Sequence, residues 1–295
     1  MFTAIDHLMI CVPDLARSVA QYRRLGFNVQ PGGTHPGKGT HNAVMLNDED
    51  YLELLAIHDP AEDRAAEEKA GRFRRNRAAF IAAGGGIRYV VLQSDDMAAD
   101  VAAMRARGVD VSDVLDGSRA QGGQTFRWKW AMLGPENPLP LFFIQHLTPM
   151  AERRSHTPGA GPHPNGVRFL ERTYIVVEDL AASVALYSKV LGTAEPRMYK
   201  GTVIMSHMAV FQYGAAGLTL AHPYAPGPAS EALKRRGPGP FQALFRTTSM
   251  GAAARWMQEQ GMPPPAIGTR DTGEKAMLVM PAQACGAYIG FVGPE

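Results

Sequence analysis

The chain has 295 residues, which exceeds one ordinary domain and fits two, each able to bury its own core. With 45% hydrophobic and 20% charged residues, the composition excludes a disordered or fibrous protein. Lys and Arg total 30 against 28 Asp and Glu, and the resulting charge of +2 is scattered, so nucleic acid is not an expected partner.

The first apolar run, Leu8 to Val12, predicts a strand, and Asp14 caps a helix whose Leu15, Val19 and Tyr22 recur at helical spacing up to Gly26. A loop rich in glycine and proline follows from Pro31, holding His35, His41 and Asn42. Extended segments are predicted at Ala43 to Leu46 and Tyr51 to Ile57. The run Arg72, Arg74, Arg75 and Arg77 stands among Glu62, Asp63, Glu67 and Glu68 and reads as a solvated helix face, with an anion site as the alternative. From Ile87 a second strand and helix lead to Gly108, and strands follow at Phe126 to Leu133 and Leu141 to Leu147.

The grammar then starts again. Residues 150–166 are rich in proline, glycine and polar side chains and read as a linker, with His156 and His163 expected in solvent. From Val177 the sequence VEDLAASVALYSKVLGT repeats VPDLARSVAQYRRLGF of Val12, matching at Asp14/Asp179, Leu15/Leu180, Ser18/Ser183 and Tyr22/Tyr187. A fourth strand and helix run from Phe241 to Gly261, and further strands are predicted through Tyr288 to Val292. Cys11 and Cys285 are too few and too scattered for a disulfide framework. No apolar run approaches the ~18 residues of a membrane span, and no leader pattern precedes the first strand, so a reduced, cytoplasmic setting is expected.

These repeats, together with IDHLMICVPDL, GGTHPGKGTHNAVMLNDEDYLELLAI, FRWKWAML and LPLFFIQ, resemble the vicinal-oxygen-chelate superfamily, and residues 1–149 resemble its glyoxalase-like subgroup. The resemblance implies an α+β fold of four βαβββ modules paired into two half-barrel domains, at 1–149 and 167–295, joined by the linker 150–166. It further implies that His7, seven positions before Asp14, and Glu53 hold first-strand and fourth-strand metal-ligand places.

Imidazole and carboxylate on neighbouring strands suit Zn, Mn, Fe, Co or Ni, although a metal-free cavity is also compatible with the sequence. In the second module Tyr89 takes the first-strand place, and either Gln145 or His146 faces inward, since alternation admits only one. In the C-terminal half Arg172, Thr219 and Gln242 stand at the places of His7, Glu53 and Tyr89, so that half is expected to lack metal. His35 is the preferred general base, Glu53 a second proton carrier, and Asn42, His41, Tyr89, Trp128 and Trp130 are candidate substrate contacts.

The expectation is a metal-dependent enzyme that chelates a small oxygen-rich substrate, with isomerase, lyase or hydrolase chemistry favoured. Extradiol ring cleavage on Fe(II) and non-catalytic binding or resistance are the alternatives. The expected partner is a small molecule, with no membrane partner and room for a homodimer.

Overall fold

The computed structural model describes residues 2–121, 123–157, 159–193, 195–270 and 272–295. In chain order the first half contains β1 (Phe2–Cys11), α1 (Leu15–Arg24), β2 (Gln30–His35), β3 (Thr40–Leu46), β4 (Tyr51–Ile57), α2 (Pro60–Ala70), α3 (Arg77–Ala82) and β5 (Gly86–Ser94). It continues with α4 (Met97–Ala106), β6 (Leu115–Gln121), β7 (Gln124–Met132), β8 (Leu141–His146) and α5 (Met150–Ser155). The second half repeats the plan: β9 (Val167–Val176), α6 (Leu180–Leu191), β10 (Arg197–Gly201), β11 (Ser206–Tyr213), β12 (Ala216–Pro223) and α7 (Pro228–Arg236). It closes with β13 (Gly239–Thr247), α8 (Met250–Glu259), β14 (Ala266–Thr269), β15 (Lys275–Val279) and β16 (Tyr288–Val292).

Two curled eight-stranded sheets result, ordered β2-β3-β4-β1-β5-β8-β7-β6 and β10-β11-β12-β9-β13-β16-β15-β14. In each, the first strands of two modules pair antiparallel at the centre, and each pairs parallel with its own module's fourth strand. This is the predicted α+β architecture of four βαβββ modules in two half-barrels.

The helix caps fall where the repeat places them. Asp14 accepts the Arg17 amide at 2.9 Å, and Asp179 accepts that of Ala182 at 2.9 Å, each satisfying an amide left open at a helix start. The buried faces of α1, α4, α6 and α8 bring Tyr22, Met104, Tyr187 and Met257 into one apolar cluster that joins both sheets. Phe27 meets Phe245 and Phe291 across it at 5.5 and 6.1 Å.

Three expectations change. The segment QPGGTH, expected as loop, forms the edge strand β2, where a proline costs no ladder bond that a neighbour needs. His163, expected in solvent, is buried: its Nδ1 accepts the Asn28 amide at 2.9 Å, and its Nε2 lies 2.9 Å from Asn47 Oδ1. Burial pulls its pKa down to about 4, so it is a neutral structural histidine. The arginine run is no single solvated face, because Arg72 and Arg74 are exposed while Arg77 is buried on Asp63 at 2.6 Å and on Glu67 at 3.0 Å. Among the described residues, no helix is long and apolar enough to cross a membrane.

The concave faces of the sheets differ. The second is filled: α7 delivers Ala229 and Ala232 onto Tyr174, Phe241, Leu244 and Tyr288. The first encloses a cavity of about 980 Å³.

Candidate functional site

Strand alternation decides what enters that cavity. On β4, Leu52 and Leu54 join the core beneath the helices, so Tyr51, Glu53 and Leu55 face the cavity. On β3 the same parity directs Thr40, Asn42 and Val44 inward; on β7 it directs Phe126, Trp128 and Trp130. His7 and Met9 come from β1, His35 from the end of β2, and Ile144 and His146 from β8.

The polar centre is a chain of buried groups. A register shift between Ile5 and His7 interrupts the pairing of β1 with β5, and Asp6 lies in that irregularity. Asp6, fully buried, has Oδ2 2.6 Å from His7 Nδ1 and Oδ1 3.0 Å from His146 Nε2. The other His7 nitrogen, Nε2, lies 3.6 Å from Glu53 Oε2. Asn42 Nδ2 donates to Glu53 Oε1 at 2.6 Å, and Tyr51 stacks on the His7 ring at 4.3 Å. A Cβ at Gly32 would come within 1.9 Å of Asn42 Oδ1, so only glycine leaves room for that amide.

These contacts set the charges. Burial disfavours a charged His7, but bonding to Asp6 and Glu53 outweighs it and raises the imidazole from 6.5 to about 8. Burial would raise Glu53, yet hydrogen bonding to His7 and the His7 charge pull it down to about 2. Burial also opposes ionisation of Asp6, which the flanking His146 and His7 nevertheless hold well below the usual carboxylate range. His35 shifts the other way: burial lowers its pKa below 6.5 despite the Glu53 charge. Its Nδ1 lies 2.9 Å from Thr40 Oγ1, and its Nε2 has no hydrogen-bond partner among the described residues.

His7, Glu53, His35, Asn42, Trp128, Trp130 and His146 thus line one cavity. The other candidates do not join them. Gln145 points to the helix side, where its amide donates to Asp95 O at 2.6 Å and accepts the Met97 amide at 3.0 Å; alternation therefore gives the inward place to His146. His41 lies on the opposite face of β3 from Asn42 and packs on His58 at 5.1 Å, so it does not line the cavity. Tyr89 packs against Met9, Cys11, Leu55 and Phe80 and borders the cleft between the two halves instead.

Asp6, Tyr51 and Lys38 were not singled out by the sequence pattern, and Arg75 was named only within the arginine run. For Asp6 a signal existed: a charged residue beside His7 within an otherwise apolar strand.

The donors fit only part of a metal cage. His7 Nε2 and Glu53 Oε2, 3.6 Å apart, have a spacing that one ion could bridge, and Asp6 behind His7 is the usual orienting carboxylate. The other half is missing. Glu53 pairs with Met9, two residues after His7, and the equivalent pairing in the second module joins Phe142 to Val91, two residues after Tyr89. Tyr89 and Phe142 therefore stand at the second module's ligand places, and His146 directs Nε2 at Asp6. Among the described residues, no three His, Cys, Asp or Glu side chains converge to hold an ion. A full protein cage does not fit these residues.

Two half-barrels of paired βαβββ modules define the vicinal-oxygen-chelate class. Within it, the glyoxalase-like domain family matches residues 5–191, and the chain belongs to that family. No curated protein sequence matches the chain. Among solved structures, a hypothetical protein from Staphylococcus aureus is similar at 13% identity and a TM-score of 0.68, covering 99% of this chain and 100% of its own. A variant of 4-hydroxymandelate synthase from Streptomyces coelicolor is similar at 13% identity and a TM-score of 0.65, covering 99% and 92%. At that identity the likeness is one of fold.

Proposed function

We propose that the first half-barrel is the active site of a proton-transferring enzyme of the isomerase or lyase type, acting on a carbon beside a carbonyl group of a small molecule. The observation that carries this reading is that one cavity holds two imidazoles in opposite surroundings. His7 lies between the carboxylates of Asp6 and Glu53, which favour its charged form, and His35 lies against the Thr40 hydroxyl, where burial favours the neutral form. Environments that push two titratable groups apart mark an acid and a base.

His35 Nε2 takes the proton from carbon, and the electron pair of that C–H bond moves toward the carbonyl oxygen. The charged His7 donates Nε2–H to that oxygen as negative charge develops on it. Return of the proton from His35 to a neighbouring carbon completes an isomerisation, whereas return to the same carbon from the same face regenerates the substrate with its hydrogen exchanged for one from solvent. Glu53 at about 2 is too weak a base for the first step near neutral pH. It keeps His7 protonated, and Asn42 and Asp6 hold the two partners in place.

Fe(II) ring cleavage calls for two histidines and a carboxylate around open positions, and the orientation of His146 toward Asp6 does not favour it. Proton NMR in D2O with a panel of 2-oxo acids and other small carbonyl compounds tests the reading. The expected result is enzyme-dependent exchange of the hydrogen beside the carbonyl, lost by at least about 100-fold in His35→Gln and in His7→Gln. Absence of exchange across the panel, or exchange indifferent to both variants, would overturn it.

A further inference from the structure

The second module puts Tyr89 and Phe142 where the first has His7 and Glu53, and the space beside that aromatic pair is taken by a guanidinium. Arg75, from the segment between α2 and α3, has its guanidinium carbon 4.7 Å from the Phe142 ring centre, 5.5 Å from Tyr89 and 5.6 Å from Trp130. Lys38, from the turn between β2 and β3, brings its ammonium within 5.7 Å of the same Trp130 ring. Both cations line the cavity.

Neither side chain has an ion-pair partner among the described residues. The nearby acid Glu67 is engaged elsewhere, through Oε1 with Arg77 at 3.0 Å and through Oε2 with the backbone amides of Arg75 and Asn76 at 2.5 and 2.9 Å. Among the described residues, the side-chain hydrogen bond made by the Arg75 guanidinium goes to the Met132 sulfur, 3.9 Å away. Burial lowers the pKa of both cations, and for Lys38 the charge of Arg75 lowers it further.

Aromatic rings compensate a cation over their faces, but they accept nothing from its N–H edge. The Arg75 guanidinium therefore keeps donors open toward the cavity, and the exposed Lys38 adds a second positive charge at the same ring, a pairing that an anion would relieve. A guanidinium fork matches the two oxygens of a carboxylate; it matches a phosphate equally well, but the aromatic rings around Arg75 suit an organic acid with an apolar body better than an inorganic ion.

We infer that Arg75, supported by Lys38, binds a carboxylate of the substrate, so the cavity takes a small carboxylic acid whose body lies along Trp128 and Trp130. This rests on the proton-transfer reading, which places the reacting carbonyl at His7 and His35.

The test is equilibrium binding, read by tryptophan fluorescence, of benzoate, phenylacetate and phenylpyruvate, each beside its neutral amide, with inorganic phosphate as a further arm. At least one acid of the panel is expected to bind tenfold or more tighter than its amide. Arg75→Met should erase that preference while amide binding persists, which shows that the cavity has kept its shape. Arg75→Lys should keep part of the preference, and Lys38→Gln should weaken the acid about threefold. Equal affinity for every acid and its amide, a preference unchanged in Arg75→Met, or phosphate binding tighter than any acid would each overturn the inference. Binding needs no turnover, so the two proposals fail separately. Acid preference without proton exchange removes the reaction and keeps the carboxylate pocket. Exchange on neutral carbonyl compounds without acid preference does the reverse.

Discussion

The two half-barrels share strand order and helix caps, yet one concave face is a polar cavity and the other a packed core. The difference lies in few positions. Where β1 and β4 carry His7 and Glu53, β9 and β12 carry Arg172 and Thr219; Arg172 bonds Tyr199, and Thr219 is wholly buried. Helix α7 then fills the second concavity with Ala229 and Ala232, while in the first half α2 and the segment after it deliver Arg75 and Arg77 to the cavity wall. One fold thus packs its concave face in one half and leaves it open as a polar cavity in the other, as expected when sites are placed on a common scaffold.

Breaking this contrast should have its largest effect in the first half. His7→Gln and His35→Gln should each lower turnover by at least about 100-fold with little loss of stability, read by proton exchange and by thermal unfolding. In the second half the pattern should invert. Leu244→Ala, in the packed concavity, should cost about 2 to 5 kcal/mol in urea unfolding and leave the rate per folded molecule unchanged. Val44→Ala, on the cavity wall, should cost clearly less, because no close-packed neighbour lies on its cavity side.

The pH profile sharpens the first half. A base whose pKa lies below 6.5 and an acid near 8 predict activity that rises through the His35 pKa and falls above about 8. Asp6→Asn removes a carboxylate that favours the charged His7, so the alkaline limb should move to lower pH. An alkaline limb that stays in place or moves up would show that Asp6 does not set the charge on His7. The smallest expected effect is Thr219→Val. Among the described residues the Thr219 hydroxyl is buried without a hydrogen-bond partner, so its removal should be neutral or stabilise by up to about 1 kcal/mol, with activity unchanged.

Much of the fold was legible because the determinants were local. Asp14 and Asp179 stand at N-caps, and leucine, valine and tyrosine recur at helical spacing after both. The second strand of each module was not, since β2 carries glycine and proline as an edge strand, and its pairing with β3 is a tertiary event. His7, Glu53 and His35 were legible because charge and imidazole stand out on apolar strands or in a glycine-rich loop.

The choice between Gln145 and His146 turned on a parity that sequence fixes only to within a residue or two. The register irregularity that lets Asp6 bond both His7 and His146 has no local signature. Arg75 was hidden for a different reason. Its neighbour Arg74 is exposed, Arg72 is paired with Asp110 and Arg77 with Asp63, and only the three-dimensional position of Tyr89, Trp130 and Phe142 separates Arg75 from them.

The most direct test of the central claim needs no substrate. Titrating the histidine ring signals of isotope-labelled protein by NMR, with assignment through His7→Gln and His35→Gln, measures the acid and the base themselves. The structure predicts that His7 titrates near 8 and that His35 titrates below 6.5. A His7 that loses its charge below 6.5, or a His35 that titrates above His7, would contradict the assignment of acid and base and with it the proposed chemistry.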